Sequence, residues 1–343
     1  MKLSLRSRAV RGSMVAATFA AASLAVAVGV STGAASAKTK TTTTAAKNKP
    51  ITLTVGYIGT QGVYTGPEGF AYSKGLLQKW LKPYKVTINS TAPFANGPLL
   101  TAALVGGSLQ LGEVGDTPAL VGEAPVSGSS DNTRIINQDA LNLQADLISQ
   151  TSITATAQLA GKSIYRQPQS YMDRWVQAYL KSKNLLSKIQ LNPGLLGADI
   201  PLFNSGQIPD LVVPPSDLTL ITTKYNILAQ STKLNPQWTG TSVTEVTAGA
   251  LKQDPGLPAA WNAARDDAID YALAHQTAYY NFEAKAEETT ETLSKKFYPL
   301  SDDPLPAFTA TGVSRLKGTL NFLVGQGEAK SFVIADWQVP VGG

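Results

Sequence analysis

The residues of this chain best suited to chemistry are hydroxyl and amide groups at glycine turns, not titrating bases. Residues 111–118 read Leu-Gly-Glu-Val-Gly-Asp-Thr-Pro, the pattern of a strand end, a glycine turn and the first turn of a helix. Thr117 is placed as N-cap, where its hydroxyl accepts a bond from a free first-turn amide. Pro118 follows where its missing N–H costs nothing. The free amides and the helix dipole favour an anion at such a turn. Similar chemistry recurs at Thr60-Gln61, at Asn96-Gly97, at Gln169-Ser170-Tyr171 and at Ser216. Amides at Gly97, Thr117 and Ser170, with the hydroxyls of Thr60, Thr117 and Ser170, would converge on an oxyanion without a salt bridge. Asp116 is either a carboxylate favoured by the helix dipole or a partner for a cationic ligand group. Gln61 and Asn96 are ligand donors or ordinary turn residues. Tyr171 packs on an apolar ligand tail or on the rim. Ser216 with Asp217 is a further donor pair or simply a turn.

Composition narrows the chemistry. The 343 residues contain no Cys and one His, His275. Disulfides, thiolate nucleophiles, thiolate metal sites and a lipid-anchored N-terminal Cys are excluded, and a catalytic His dyad or a multi-His metal site cannot be built. No Gly-x-Ser-x-Gly elbow is present. No catalytic residue, metal or cofactor is therefore expected, and the chain is expected not to be an enzyme. The formal charge of +5 comes from 29 basic against 24 acidic residues. Positions 1–50 hold eight of the basic residues and no acid, so 21 face 24 in the remainder, a balance of −3. That remainder gives no ground for a nucleic-acid partner.

The elements that position these residues follow in order. Residues 1–37 have a basic start, an apolar run over 14–30 and Ala35-Ser36-Ala37 as a cleavage signal. They read as a secretory signal peptide cleaved after Ala37, with an uncleaved anchor as the alternative. Residues 38–50 form a Thr- and Lys-rich spacer with too little apolar surface to fold. Residues 51–58 alternate as a strand, 64–81 are helix-like, 85–89 form a second strand, 99–105 a helix and 109–114 a third strand. This strand–helix order implies parallel strands with helices outside, and ligands beyond the carboxyl ends of the strands. Two strands are expected within 134–149. A second α/β unit begins near residue 159, with a helix after Ser170 whose stripe is Met172, Trp175, Val176, Tyr179 and Leu180. Residues 258–288 read as one long helix with a solvated charged face, residues 298–304 as a connector and 308–324 as a last helix.

Together these motifs resemble a known family. Val114-Gly-Asp-Thr-Pro118, after residues 103–112, is similar to the signature of solute-binding proteins of ABC importers in the nitrate, sulfonate and taurine group, and most like the aliphatic-sulfonate binders. Phe94-Ala-Asn-Gly-Pro98, Leu159-Ala-Gly-Lys162, Phe203-Asn-Ser-Gly-Gln-Ile208, Tyr298-Pro-Leu-Ser and Ala335-Asp-Trp337 match further family runs in the family's order. Pro214-Pro215 departs from it, standing where the family has a tryptophan-aspartate pair. The resemblance implies an α/β protein of the two-lobed periplasmic-binding-protein type II fold. Each lobe would be a mostly parallel sheet flanked by helices, joined to the other by two crossover strands. Lobe 1 would comprise 51–149 plus 249–343, and lobe 2 would comprise 150–248. It further implies an exported monomer, in a periplasm or at the outer face of the cytoplasmic membrane. Its ligand would be a small anion such as a sulfonate, carried between the lobes to ABC permease subunits. Enzymes on the same fold, a desulfinase with a Cys nucleophile and a pyrimidine-forming enzyme, are the alternative.

Overall fold

The computed structural model describes residues 48–59, 62–123 and 133–339. The leader and the spacer up to residue 47 lie outside the described residues, and so do Thr60 and Gln61.

Among the described residues there are ten strands: β1 (Ile51–Ile58), β2 (Val86–Phe94), β3 (Leu111–Gly115), β4 (Thr133–Gln138), β5 (Asp146–Gln150), β6 (Ser163–Arg166), β7 (Gln190–Pro193), β8 (Asp210–Val213), β9 (Tyr225–Gln230) and β10 (Ser242–Thr247). They form two five-stranded sheets, ordered β2-β1-β3-β10-β4 and β7-β6-β8-β5-β9. In each sheet three strands joined by helical crossovers run parallel, and the other pairings are antiparallel. The sheets are therefore mixed. The alternation in β1 puts Ile51, Leu53, Val55 and Tyr57 in the core, whereas β8 is buried throughout, as expected of a strand covered on both faces.

The chain leaves the first sheet after β4 and returns through β10. The two connecting segments pair with each other: Leu143 N donates to Gly240 O at 2.9 Å, and Gly240 N donates to Leu143 O at 3.0 Å. Gly240 permits a close approach here, because a Cβ would stand 2.6 Å from the Tyr171 ring.

The helix Tyr171–Ser182 follows its sequence signals. Ser170 Oγ accepts Asp173 N at 3.1 Å, and Met172, Trp175, Val176, Tyr179 and Leu180 are all buried against the second sheet. Each such side chain contributes about 1.5–3 kcal/mol by leaving water. Trp261 and Trp337 anchor the two faces of the first sheet in the same way.

Three local expectations change. The stretch 64–81 is two helices, Gly66–Ser73 and Leu76–Leu81, broken at Gly75, whose φ of 69° favours glycine. The stretch 258–288 is also two, Leu257–Ala274 and Gln276–Ala286, meeting at an exposed His275 that stacks on Tyr271. Their charges are not all solvated, since Arg265 and Glu283 are buried. Finally, the helix Asp116–Glu123 begins one residue before Thr117. The Thr117 hydroxyl is not its cap; it donates to Asp116 Oδ1 at 3.0 Å.

Candidate ligand cleft

The carboxyl ends of the parallel strands of both sheets open on one cleft of about 650 Å³. Gly59 after β1, Gly97 after β2, Pro118 after β3, Ser170 after β6, Leu195 and Leu196 after β7, and Ser216 and Asp217 after β8 all line it. This is where an open α/β sheet binds ligands. Asp139 and Asn142 after β4, Ser242 at the start of β10, and residues from the helix Gln276–Ala286 onward also line it.

The electrostatic character of the wall was not foreseen. Nine carboxylates line it: Glu68, Glu113, Asp139, Asp217, Glu283, Glu287, Glu288, Asp302 and Asp303. Among the described residues no Lys, Arg or His lines it. Among the described residues, Glu68 alone of the nine is in an ion pair, with Arg265 Nε 3.1 Å from Oε1. Arg265 itself lies behind the wall and donates to the carbonyls of Pro304, Gln138 and Asp139. Glu113 accepts a bond from the Tyr64 hydroxyl, Glu283 Oε1 accepts Gly66 N at 3.0 Å and Asp302 Oδ1 accepts Asn142 Nδ2 at 2.7 Å.

Burial therefore dominates the titration of these groups. Desolvation pushes Asp139 up to about 7, with the field of Glu68 adding to it. It pushes Glu283 up to about 8, aided by Glu287. Glu287 rises to about 7 by burial and the field of Asp217, and Asp217 to about 6 by burial. Glu113 and Asp303 are also raised well above the usual carboxylate range, chiefly by burial.

The sequence-predicted residues fall into separate groups. Gly97, Ser170, Tyr171 and Ser216 line the cleft. Gly97 lets its loop approach closely, since a Cβ would lie 2.3 Å from Pro118 Cγ. The Ser170 hydroxyl donates to Gln167 O at 2.7 Å, the Tyr171 hydroxyl to Gln144 O at 3.1 Å, and Ser216 Oγ to Asp217 Oδ1 at 3.2 Å. Asn96 caps the helix Gly97–Val105, with Oδ1 accepting Leu99 N at 3.0 Å, and is not part of the wall. Gln169 faces a separate small cavity with Pro98, Thr101 and Pro118. Thr60 and Gln61 lie outside the described residues.

Asp116 and Thr117 depart furthest from expectation. Neither lines the cleft, and both are buried. Asp116 Oδ2 accepts Thr319 Oγ1 at 3.0 Å and Thr241 Oγ1 at 3.3 Å. It also stands 3.5 Å from an Arg174 guanidinium nitrogen. Arg174 belongs to the helix Tyr171–Ser182 and donates to Thr239 O at 3.0 Å. The pair thus ties a helix of the first sheet, the returning connection and a helix of the second sheet together behind the cleft. The residues missed in the sequence are the acids. Glu113 sits inside the motif already singled out. Asp302 and Asp303 lie in the expected connector, and Glu283 and Glu287 lie in the helical stretch assigned to a solvated face.

No protein-family model matches the chain, and no curated protein matches it. Solved structures do. The chain is similar to the alkanesulfonate-binding protein SsuA from Xanthomonas axonopodis pv. citri bound to MOPS, with 18% identity, a TM-score of 0.68, and coverage of 85% of this chain and 99% of that one. The periplasmic aliphatic sulphonate-binding protein SsuA from Escherichia coli matches with 19% identity and a TM-score of 0.66, over 84% of this chain and 97% of its own. A variant of DSZB in complex with biphenyl-2-sulfinic acid matches with 16% identity and a TM-score of 0.61, over 84% of this chain and 96% of its own. These likenesses establish the α/β periplasmic-binding-protein fold that the sequence motifs implied. They also correct one expectation. The chain was expected not to be an enzyme, but the desulfurization enzyme DSZB has the same fold, so the fold hosts catalysis as well as binding.

Proposed function

We propose that this chain is the exported solute-binding component of an ABC importer, holding one small solute in the cleft and passing it to permease subunits in the membrane. The observation that carries this proposal is the cleft itself. Its 650 Å³ volume suits a small molecule. Its wall is divided between two sheets, and the chain passes between them through two segments that pair with each other. A solute touching both sides binds the closed arrangement better than the open one, and this differential affinity drives closure. The leader in residues 1–37, cleaved after Ala37, supports export, and the sulfonate-binding structural neighbours support a role in uptake.

The neighbours' sulfonates make a small organic anion the first class to test. Such a ligand would rest on the Gly97 and Ser170 amides and on the Ser242 hydroxyl, against an acidic wall. The experiment is a thermal-shift screen of the full-length protein with a library of anions, cations and neutral solutes. The expected outcome is saturable stabilisation by one chemical class, with the solute recovered unchanged by mass spectrometry. Recovery of a converted solute would assign catalysis instead. Stabilisation by no class at all would overturn the solute-binding proposal.

A further inference from the structure

We infer that the solute held in this cleft is an organic cation, an amine or quaternary ammonium with an apolar body. This rests on the solute-binding proposal and names the charge of its ligand.

The cavity supplies the site, and its lining supplies the sign. Nine carboxylates and no cationic side chain among the described residues face it. An isolated acidic cluster on a surface would be solvated and would select nothing. Here Glu68 and Glu283 are buried, the other acids except Glu288 are part-buried, and among the described residues Glu68 alone has a cation beside it. Glu283 is 3% exposed and faces the cleft. One of its oxygens takes the Gly66 amide, and no described cation pairs with the carboxylate. Asp139 Oδ2 is buried with no hydrogen-bond partner. Carboxyl groups placed this way keep their protons until something positive reaches them. An ammonium group would favour the ionised form of these acids, whereas a sulfonate would be repelled by those already ionised.

The two walls also oppose each other with matched chemistry. Tyr171 and Asp217 come from the second sheet's side, and Tyr298 and Glu287 from the first. The fields of Asp217 and Glu287 add to burial in raising Tyr171, and the same two act on Tyr298. The one cavity therefore holds two phenols and two acids, the groups by which proteins recognise an organic cation. Leu195, Leu196, Leu220 and Met172 extend the wall with apolar surface, which suits a carbon body. Among the described residues no three of the acids converge as a metal ion requires, so the geometry favours an organic cation over an inorganic one.

The test is isothermal titration of the full-length protein with diaminobutane, butyltrimethylammonium and butanesulfonate, which are similar in length and differ in charge. At least one cation is expected to bind saturably and butanesulfonate not at all. Asp217→Asn and Glu287→Gln should each weaken cation binding about tenfold or more, with no fall in thermal midpoint. Binding of butanesulfonate without either cation would overturn the inference and leave the solute-binding proposal standing. Cation affinity unchanged in both variants would overturn the part assigned to these two acids. Silence from all three probes would also overturn the inference. The broader solute screen then decides separately whether the cleft binds solutes of any class.

Discussion

Asp116 and Glu283 are carboxylates buried to nearly the same degree, 0% and 3% exposed, yet their surroundings are opposite. Asp116 sits behind the cleft with Arg174 and the hydroxyls of Thr117, Thr241 and Thr319 around it. Glu283 sits on the cleft wall with one backbone amide and a second acid, Glu287, in its field. The contrast separates two uses of a buried charge. Where partners come from several elements, the charge holds the fold together. Where no cation is near and a cavity lies in front, the carboxyl keeps its proton and remains available to a ligand.

The largest expected effect breaks the first cluster. Arg174→Met removes the cation and strands Asp116, at a cost of about 3–5 kcal/mol. Urea denaturation measures this, and a midpoint equal to wild type would mean that the pair does not hold the sheets. Thr319→Val removes one hydroxyl from Asp116 and should cost about 1–2 kcal/mol in the same assay. Thr117→Ala should cost about 1 kcal/mol or less, with solute affinity unchanged by calorimetry. Lost affinity with intact stability would return this residue to the binding site.

The smallest effect concerns the second cluster and depends on pH. Asp139, Glu283 and Glu287 titrate at about 7, 8 and 7 in the folded chain. Because these values are raised, the folded chain keeps protons that the unfolded chain has already released. Their contribution to stability is therefore full below about pH 4 and is lost as pH rises through 7 to 8. The thermal midpoint of the ligand-free protein should fall from pH 5 to pH 8. Glu283→Gln should match wild type near pH 5 and exceed it slightly at pH 8. A variant less stable than wild type at pH 8 would show that Glu283 serves the fold as Asp116 does.

Much of the fold was legible because its signals are local. The alternation of 51–58, the Ser170 cap and the stripe of Met172, Trp175, Val176, Tyr179 and Leu180 require only period and capping chemistry. The helix breaks at Gly75 and His275 were missed because hydrophobic pattern continues across both. Four of the ten candidate site residues, Gly97, Ser170, Tyr171 and Ser216, line the cleft; strand-end loops converge in such sheets whatever their sequence. Asp116 and Thr117 were misplaced because capping chemistry and buried networking use the same residue types. Only the position of Arg174, 58 residues away in sequence by its number, distinguishes them.

The sequence alone determined the two α/β units, the turns at their strand ends and the absence of thiol chemistry, since each depends on neighbours in the chain or on composition. Tertiary structure decided which charges are neutralised. Glu113, Asp139, Asp217, Glu287 and Asp303 are spread over five different segments of chain, and nothing in their spacing marks them as a group. They become one wall only when the strand ends of both sheets meet across the cleft. A carboxylate's role depends on the charges and solvent within a few ångströms of it, and folding sets that distance.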